Sequence, residues 1–226
     1  MTSIEVLQDR LDAVRSGISD AARQAGRDPR AITTVVVTKF HPAELVRKLH
    51  TLGVRNFGEN RHQEAQAKAA ELRDLDLVWH FIGQLQSKKA RQVRSYARVI
   101  HSLDRDSVVD ALASTEPSID CFVQLNLTDD EARGGVRDSD LERLTERVLA
   151  THGLSLLGVM AVAPVGEDPR AAFARVHAAS QRVMSIAPAA RFISAGMSGD
   201  YREAILEGAT HLRIGSAITG NRPAAG

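Results

Sequence analysis

The chain has 226 residues, 43% hydrophobic and 25% charged, so it is long enough to bury a core without help from a metal or a disulfide. A net charge of +1 gives no footing for a nucleic-acid or membrane-surface partner, and one cysteine, Cys121, excludes an internal disulfide framework. No run approaches the roughly 18 apolar residues of a spanning helix, and the amphipathic N-terminus reads as neither signal peptide nor anchor, which points to the cytoplasm.

The first element predicted is a helix over about residues 3–25. Ile4, Leu7, Leu11, Val14 and Ile18 recur at helical spacing, Thr2 and Glu5 are placed as a capping box, and Gly26 and Pro29 end it. ITTVVVT (32–38) follows, a β-branched run suited to a strand buried on both faces. From there helical stretches alternate with short apolar runs: VRNFG, LVWHFIG, RVIHSL, IDCFVQLNL, LSLLGVMAV, ARFISAG and THLRIGS. Helices are expected over 62–73, SKKARQVRSYA, 139–151 and 169–186 among others. Aromatics make up only 4%, so aliphatic side chains and alanine must fill the interior. Eight strands alternating with helices in a chain of this length predict one (β/α)₈ TIM barrel over residues 1–226, with an open doubly wound sheet as the alternative.

In such a barrel, function belongs to the segments that follow the strands. Lys39 stands out because it ends the β-branched run. A poorly hydrated lysine loses its proton more readily and becomes the neutral amine that attacks carbonyls, whereas the bland reading is a lysine that snorkels to solvent from the rim. In SAGMSGD, Ser198 is placed as a helix N-cap, and Gly215 and Ser216 of RIGSAITG open a second helix. Ordinary capping explains either turn alone; together they suit a phosphate. Arg213 is open to three roles, as a phosphate clamp, a core ion-pair partner or a ligand for a ring nitrogen. Glu59 and Asn60 are weaker candidates, and His80, inside an apolar strand, is read as a satisfied core histidine. The histidines lack metal-type spacing, so no zinc site is expected. Lys88, Lys89, Arg91, Arg94 and Arg98 read as a solvated basic helix face, and residues 126–135 as either a lid or a plain connection.

Five separated motifs, VVVTKFHP, FGENRHQE, WHFIGQLQSKK, GVMAVAP and SAGMSGDYREAILEGATHLRIGSAI, resemble those of the pyridoxal 5′-phosphate (PLP) homeostasis protein family, over about residues 4–222. The resemblance implies a barrel like the N-terminal domain of alanine racemase, with PLP at its carboxyl face. Lys39 would hold the cofactor as a Schiff base. Met197, Ser198, Gly215 and Ser216 would bind its phosphate, Arg213 would approach the pyridine nitrogen, and Asn60 would lie near the ring. Ser216 stands where the family more often has threonine, and Thr219 where it has phenylalanine.

The resemblance thus implies a PLP-binding protein of vitamin B6 homeostasis, with no catalytic residue, no metal, PLP-accepting enzymes as transient partners, and a monomeric state. The alternative is a PLP-dependent amino-acid racemase or other small PLP enzyme. Racemization needs an acid–base group on the opposite face of the cofactor. Of the two tyrosines, Tyr96 falls in a helix away from the expected site and Tyr201 follows the phosphate turn, so neither fits that role. A sugar-phosphate enzyme whose substrate forms the Schiff base, and a scaffold without phosphate ligand, are further readings.

Overall fold

The computed structural model describes residues 2–221. The chain opens with α1 (Ile4–Gln24), which buries Leu7, Leu11, Val14 and Ile18, while Ile4 in the open first turn stays 38% exposed. Its cap lies one residue beyond the expected place. Ser3, not Thr2, is the N-cap, and its Oγ accepts the Val6 N–H at 3.4 Å. The helix ends at Gly26, whose φ of +65° suits a residue without a β-carbon.

The eight apolar runs become eight strands: β1 (Thr33–Val37), β2 (Asn56–Glu59), β3 (Val78–Phe81), β4 (Val99–Leu103), β5 (Ile119–Gln124), β6 (Leu154–Met160), β7 (Phe192–Ser194) and β8 (His211–Ile214). Each pairs in parallel with the next, and β8 returns to β1, so the sheet closes in chain order. The open-sheet alternative is thereby removed. Between the strands lie α2 (Ala43–Thr51), α3 (His62–Glu71), α4 (Ala90–Arg94), α5 (Asp106–Leu112), α6 (Leu141–Leu149), α7 (Pro169–Ile186) and α8 (Tyr201–Leu206), with α9 (Ser216–Thr219) after β8. Parallel neighbours need such crossovers, and the helices cover the outer face of the sheet.

The basic stretch departs from expectation. It forms a 3₁₀ turn (Ser87–Lys89) followed by the five-residue α4, and Arg94 is not part of a solvated face. Its side chain is 8% exposed, and its guanidinium donates to the carbonyls of Pro117 at 2.7 Å and Gly153 at 2.9 Å. Those bonds tie the segment before β5 to the segment before β6.

Apolar packing forms two layers. The larger lies between sheet and helices and is built mostly from Val, Leu, Ile and Ala, as the scarcity of aromatics requires. The smaller lies around Phe122, with Val99, Met160 and Phe192. Phe122 is fully buried, its ring centroid 4.7 Å from that of His101 and 5.2 Å from that of His211. Where barrel interiors are usually filled by branched aliphatics, this one therefore includes imidazoles. Cys121 is buried, and desolvation pushes its thiol pKa far up, which makes it an inert packing residue. Among the described residues, no helix is long and apolar enough to cross a membrane.

Truncating Phe122 to alanine should cost about 3–5 kcal/mol of unfolding free energy, because it opens a cavity that rigid strands cannot close. Val165→Ala, at an 89% exposed position, should stay within about 0.5 kcal/mol of wild type. Urea titrations of both variants check this, and equal midpoints would contradict a packed interior around Phe122.

Candidate functional site

Strand register decides which loop residues meet. Val37 pairs with Gly58 of β2, so Lys39 and Asn60 leave the sheet at the same level. On the other side Val36 pairs with Ile214, which sets Gly215 beside Val37 and the start of α9 beside Lys39. Lys39 and the turn after β8 therefore emerge side by side at the carboxyl rim.

Lys39 itself is exposed, not poorly hydrated. The residues around it carry the burial: Thr38 is fully buried and Glu59 only 1% exposed. The peptide groups flanking Lys39 are gripped from α3. Lys68 Nζ donates to the Thr38 carbonyl at 2.8 Å, and Glu64 Oε1 accepts the Phe40 N–H at 2.5 Å. Lys68 also bridges Glu59 and Glu64, at 2.7 Å each, while Thr38 Oγ1 donates to Glu59 Oε1 at 2.6 Å. Phe40 has a φ of +68°, a conformation that costs a non-glycine residue on the order of 1–3 kcal/mol unless its surroundings hold it. The bond to Glu64 supplies that hold. Lys39 thus projects from a backbone fixed on both sides.

Desolvation raises the pKa of the Glu59 carboxyl, and Lys68 beside it acts in the opposite direction. Glu59 Oε2 is buried without a hydrogen-bond partner, so this carboxylate depends on Lys68. Glu64 and Lys68 sit at i and i+4 on α3 and were legible as a helical pair, but their shared target, the segment just after β1, was not.

Ser198 does not cap α8, whose N-cap is Asp200. Its Oγ reaches across instead to accept the N–H groups of Gly215 at 3.3 Å and Ala217 at 3.2 Å. The two rim turns are thereby joined by an oxygen held by two backbone donors. The turn that carries Ser198 needs Gly196: its φ is +91°, and a β-carbon there would lie 2.7 Å from Ala204 Cβ. Met197 is 39% exposed, and its N–H donates to Asp200 Oδ1 at 2.6 Å. Ser216 is exposed at the start of α9.

Of the three roles open to Arg213, the core ion pair is not formed among the described residues. The side chain is 4% exposed, with Nη1 donating to Ser194 Oγ at 2.6 Å and Nη2 to the Ala161 carbonyl at 2.9 Å. Desolvation lowers its pKa to about 10, so it stays charged at neutral pH. Ser194 was not singled out from the sequence. His80 is the buried, satisfied core histidine expected, bonded to Asn56 and to His101. Asn60 is level with Lys39 and also lines a cavity of about 210 Å³ with His62, Gln84 and Lys89. Tyr201 packs its hydroxyl toward Gly17 of α1. Residues 126–135 fold locally around Asn126, whose Oδ1 accepts Thr128 N–H at 2.9 Å.

The model of the family described as alanine racemase, N-terminal domain, matches residues 10–223 of this closed barrel. Solved structures agree on the fold: alanine racemase from Corynebacterium glutamicum superposes with a TM-score of 0.65 at 17% identity, covering 96% of this chain and 62% of that one. Nearer relatives narrow the class. The pyridoxal phosphate homeostasis protein of Corynebacterium glutamicum is 37% identical, covering 97% of this chain and all of that protein, and its Escherichia coli counterpart is 35% identical over 94% and 95%. PipY of Synechococcus elongatus, solved with PLP bound, is 33% identical with a TM-score of 0.83, covering 95% of this chain and 100% of that one. The chain belongs to the pyridoxal phosphate homeostasis protein family.

Lys68→Met should cost about 3–5 kcal/mol at pH 7, because it strands the Glu59 carboxylate. The folded pKa of Glu59 lies above its reference value of 4.5, so the native state binds protons more readily. Stability is therefore favoured at low pH and lost as pH rises through the folded pKa. The variant's deficit should shrink on acidification from pH 7 to pH 5, and denaturant midpoints at both values would show it; a deficit independent of pH would contradict the assignment.

Proposed function

We propose that this chain binds PLP at the carboxyl rim of its barrel, that Lys39 holds it, and that residues 1–226 act as one cytoplasmic carrier domain rather than a catalyst. The observation that carries this reading is the placement of Lys39, just beyond the end of β1, next to the Ser198–Gly215 junction. That junction has the chemistry of a phosphate seat. Two backbone N–H groups already converge on an oxygen, a phosphate oxygen is a stronger acceptor than a hydroxyl, and exposed Ser216 adds a second hydroxyl nearby.

When bound, PLP would supply an aldehyde that the Lys39 amine takes up as a Schiff base with loss of one water. The remaining work belongs to the chain. Glu64 and Lys68 fix the backbone from which Lys39 projects. Ser198 and Gly215 orient the phosphate end, with Met197 at the exposed edge of the same turn. Arg213, a permanent cation, would face the pyridine nitrogen and disfavour a proton there. Asn60, level with Lys39, is assigned a place near the ring.

The names and ligand of the relatives support the same reading. A racemase requires a second acid–base group, and Tyr201, turned against α1, is poorly placed to be one. The proposed role is therefore reversible storage and release of PLP, with PLP-accepting enzymes as transient partners and a monomer as the working state.

The test is the absorption spectrum of the protein after PLP addition. Wild type should develop a Schiff-base band that Lys39→Ala lacks, and a band of equal intensity in both would remove Lys39 from the role. Ser198→Ala should keep the band but bind PLP about tenfold more weakly, the scale of one hydrogen bond to a charged group. Titration followed by the same absorbance measures it.

A further inference from the structure

The buried polar groups behind Arg213 form a continuous line across the barrel interior. Arg213 Nη1 lies 2.6 Å from Ser194 Oγ, which lies 2.8 Å from His101 Nδ1. His101 Nε2 lies 2.9 Å from His80 Nδ1, and His80 Nε2 lies 3.0 Å from Asn56 Oδ1. Ser194 and His101 are fully buried and His80 is 2% exposed, so no competing solvent reaches the middle of the line, and only Asn56 at its far end is half-buried.

Burial keeps both rings neutral: it holds His80 down to about 3 and His101 well below the ordinary histidine value. A neutral imidazole has one donor and one acceptor nitrogen, so with the Asn56 carbonyl oxygen 3.0 Å away His80 donates from Nε2 and accepts at Nδ1. His101 then donates from Nε2 to His80 and accepts the Ser194 hydroxyl proton at Nδ1. Arg213, which only donates, occupies another lone pair of the Ser194 oxygen. The charged and titratable groups that act on the line are Arg213 itself, Asp200, whose charge favours the guanidinium without a hydrogen bond to it, and His211, an imidazole that burial lowers to about 4.

We propose that Ser194, His101 and His80 are positioning residues that hold Arg213, through a one-way hydrogen-bond chain, in the pose that meets the cofactor ring nitrogen. The cofactor half of this inference rests on the PLP reading above. A carboxylate partner would hold a guanidinium as firmly but would offset its charge. The neutral chain fixes two of its N–H directions, together with the Ala161 carbonyl, and leaves the positive charge intact. Removing a link should therefore change how the ring nitrogen is gripped without touching Lys39 or the phosphate turns.

Two measurements test this. On PLP-free full-length protein at pH 7, nitrogen-15 NMR of the histidine rings, assigned with single-histidine variants, should find His101 and His80 neutral and protonated on Nε2. A charged ring, or a proton on Nδ1 of either, overturns the chain. In PLP titrations, Ser194→Ala should weaken binding about tenfold and shift the Schiff-base band, while Ser194→Thr, which keeps the hydroxyl, stays within about threefold of wild type. An affinity and band unchanged in Ser194→Ala reduce Ser194 to packing and overturn the positioning role. No band in wild type overturns the cofactor reading itself, and the two failures are distinguishable because the tautomers are read without cofactor. If Ser194→Ala does not fold, the tautomers and the behaviour of Ser194→Thr still decide.

Discussion

The pairing of β8 with β1 is the constraint on which the remaining architecture depends. Until Val35 meets Arg213 and Val36 meets Ile214, the chain is an open sheet whose first and last loops lie far apart. Closure removes the two exposed edges and their unpaired backbone groups. It also brings together residues separated by most of the sequence, so that a lysine leaving the first strand stands beside the turns that end the seventh and eighth. Contacts of that sequence separation are slow to form because loop closure must precede them.

How much of this could be read in advance depended on whether the signal was local. The run from Ile32 to Thr38 announces a strand because β-branched side chains crowd a helix, and Pro169–Ile186 is bounded by its own Asp168 cap and by the following coil. The α1 cap shifted by one residue because Thr2 and Ser3 are both competent caps, and the choice between them is made by backbone conformation. Tertiary structure decided the rest. Ser198 carries the right chemistry for a cap but serves a turn 17 residues away, and Lys39 ends a buried strand yet leaves the barrel into solvent. His101 and Ser194 are 93 residues apart, with nothing in either segment to link them before the barrel closes.

The polar groups of this protein divide into two systems with different physics. The Glu59–Lys68–Glu64 group is ionic and lies between sheet and helix, where the attraction between its members offsets desolvation and the product is a fixed loop. The line from Arg213 to Asn56 lies across the barrel and carries one charge at one end, with every other member neutral. The first system sets where an amine projects; the second sets the direction of a cation. The two systems share β2, which supplies Glu59 to the first and Asn56 to the second.

Arg213 has a cost of its own. A guanidinium withdrawn from water with no carboxylate hydrogen-bonded to it among the described residues is a worse tenant of a barrel interior than a methionine of similar length, and buried charges replaced by well-packed apolar groups often leave a protein more robust. A chain refined for resistance to heat alone would discard it. Its presence marks a position at which this barrel holds a fixed positive charge at the expense of thermal robustness, so a search for stabilising substitutions in the interior would be drawn first to the residue proposed to face the cofactor.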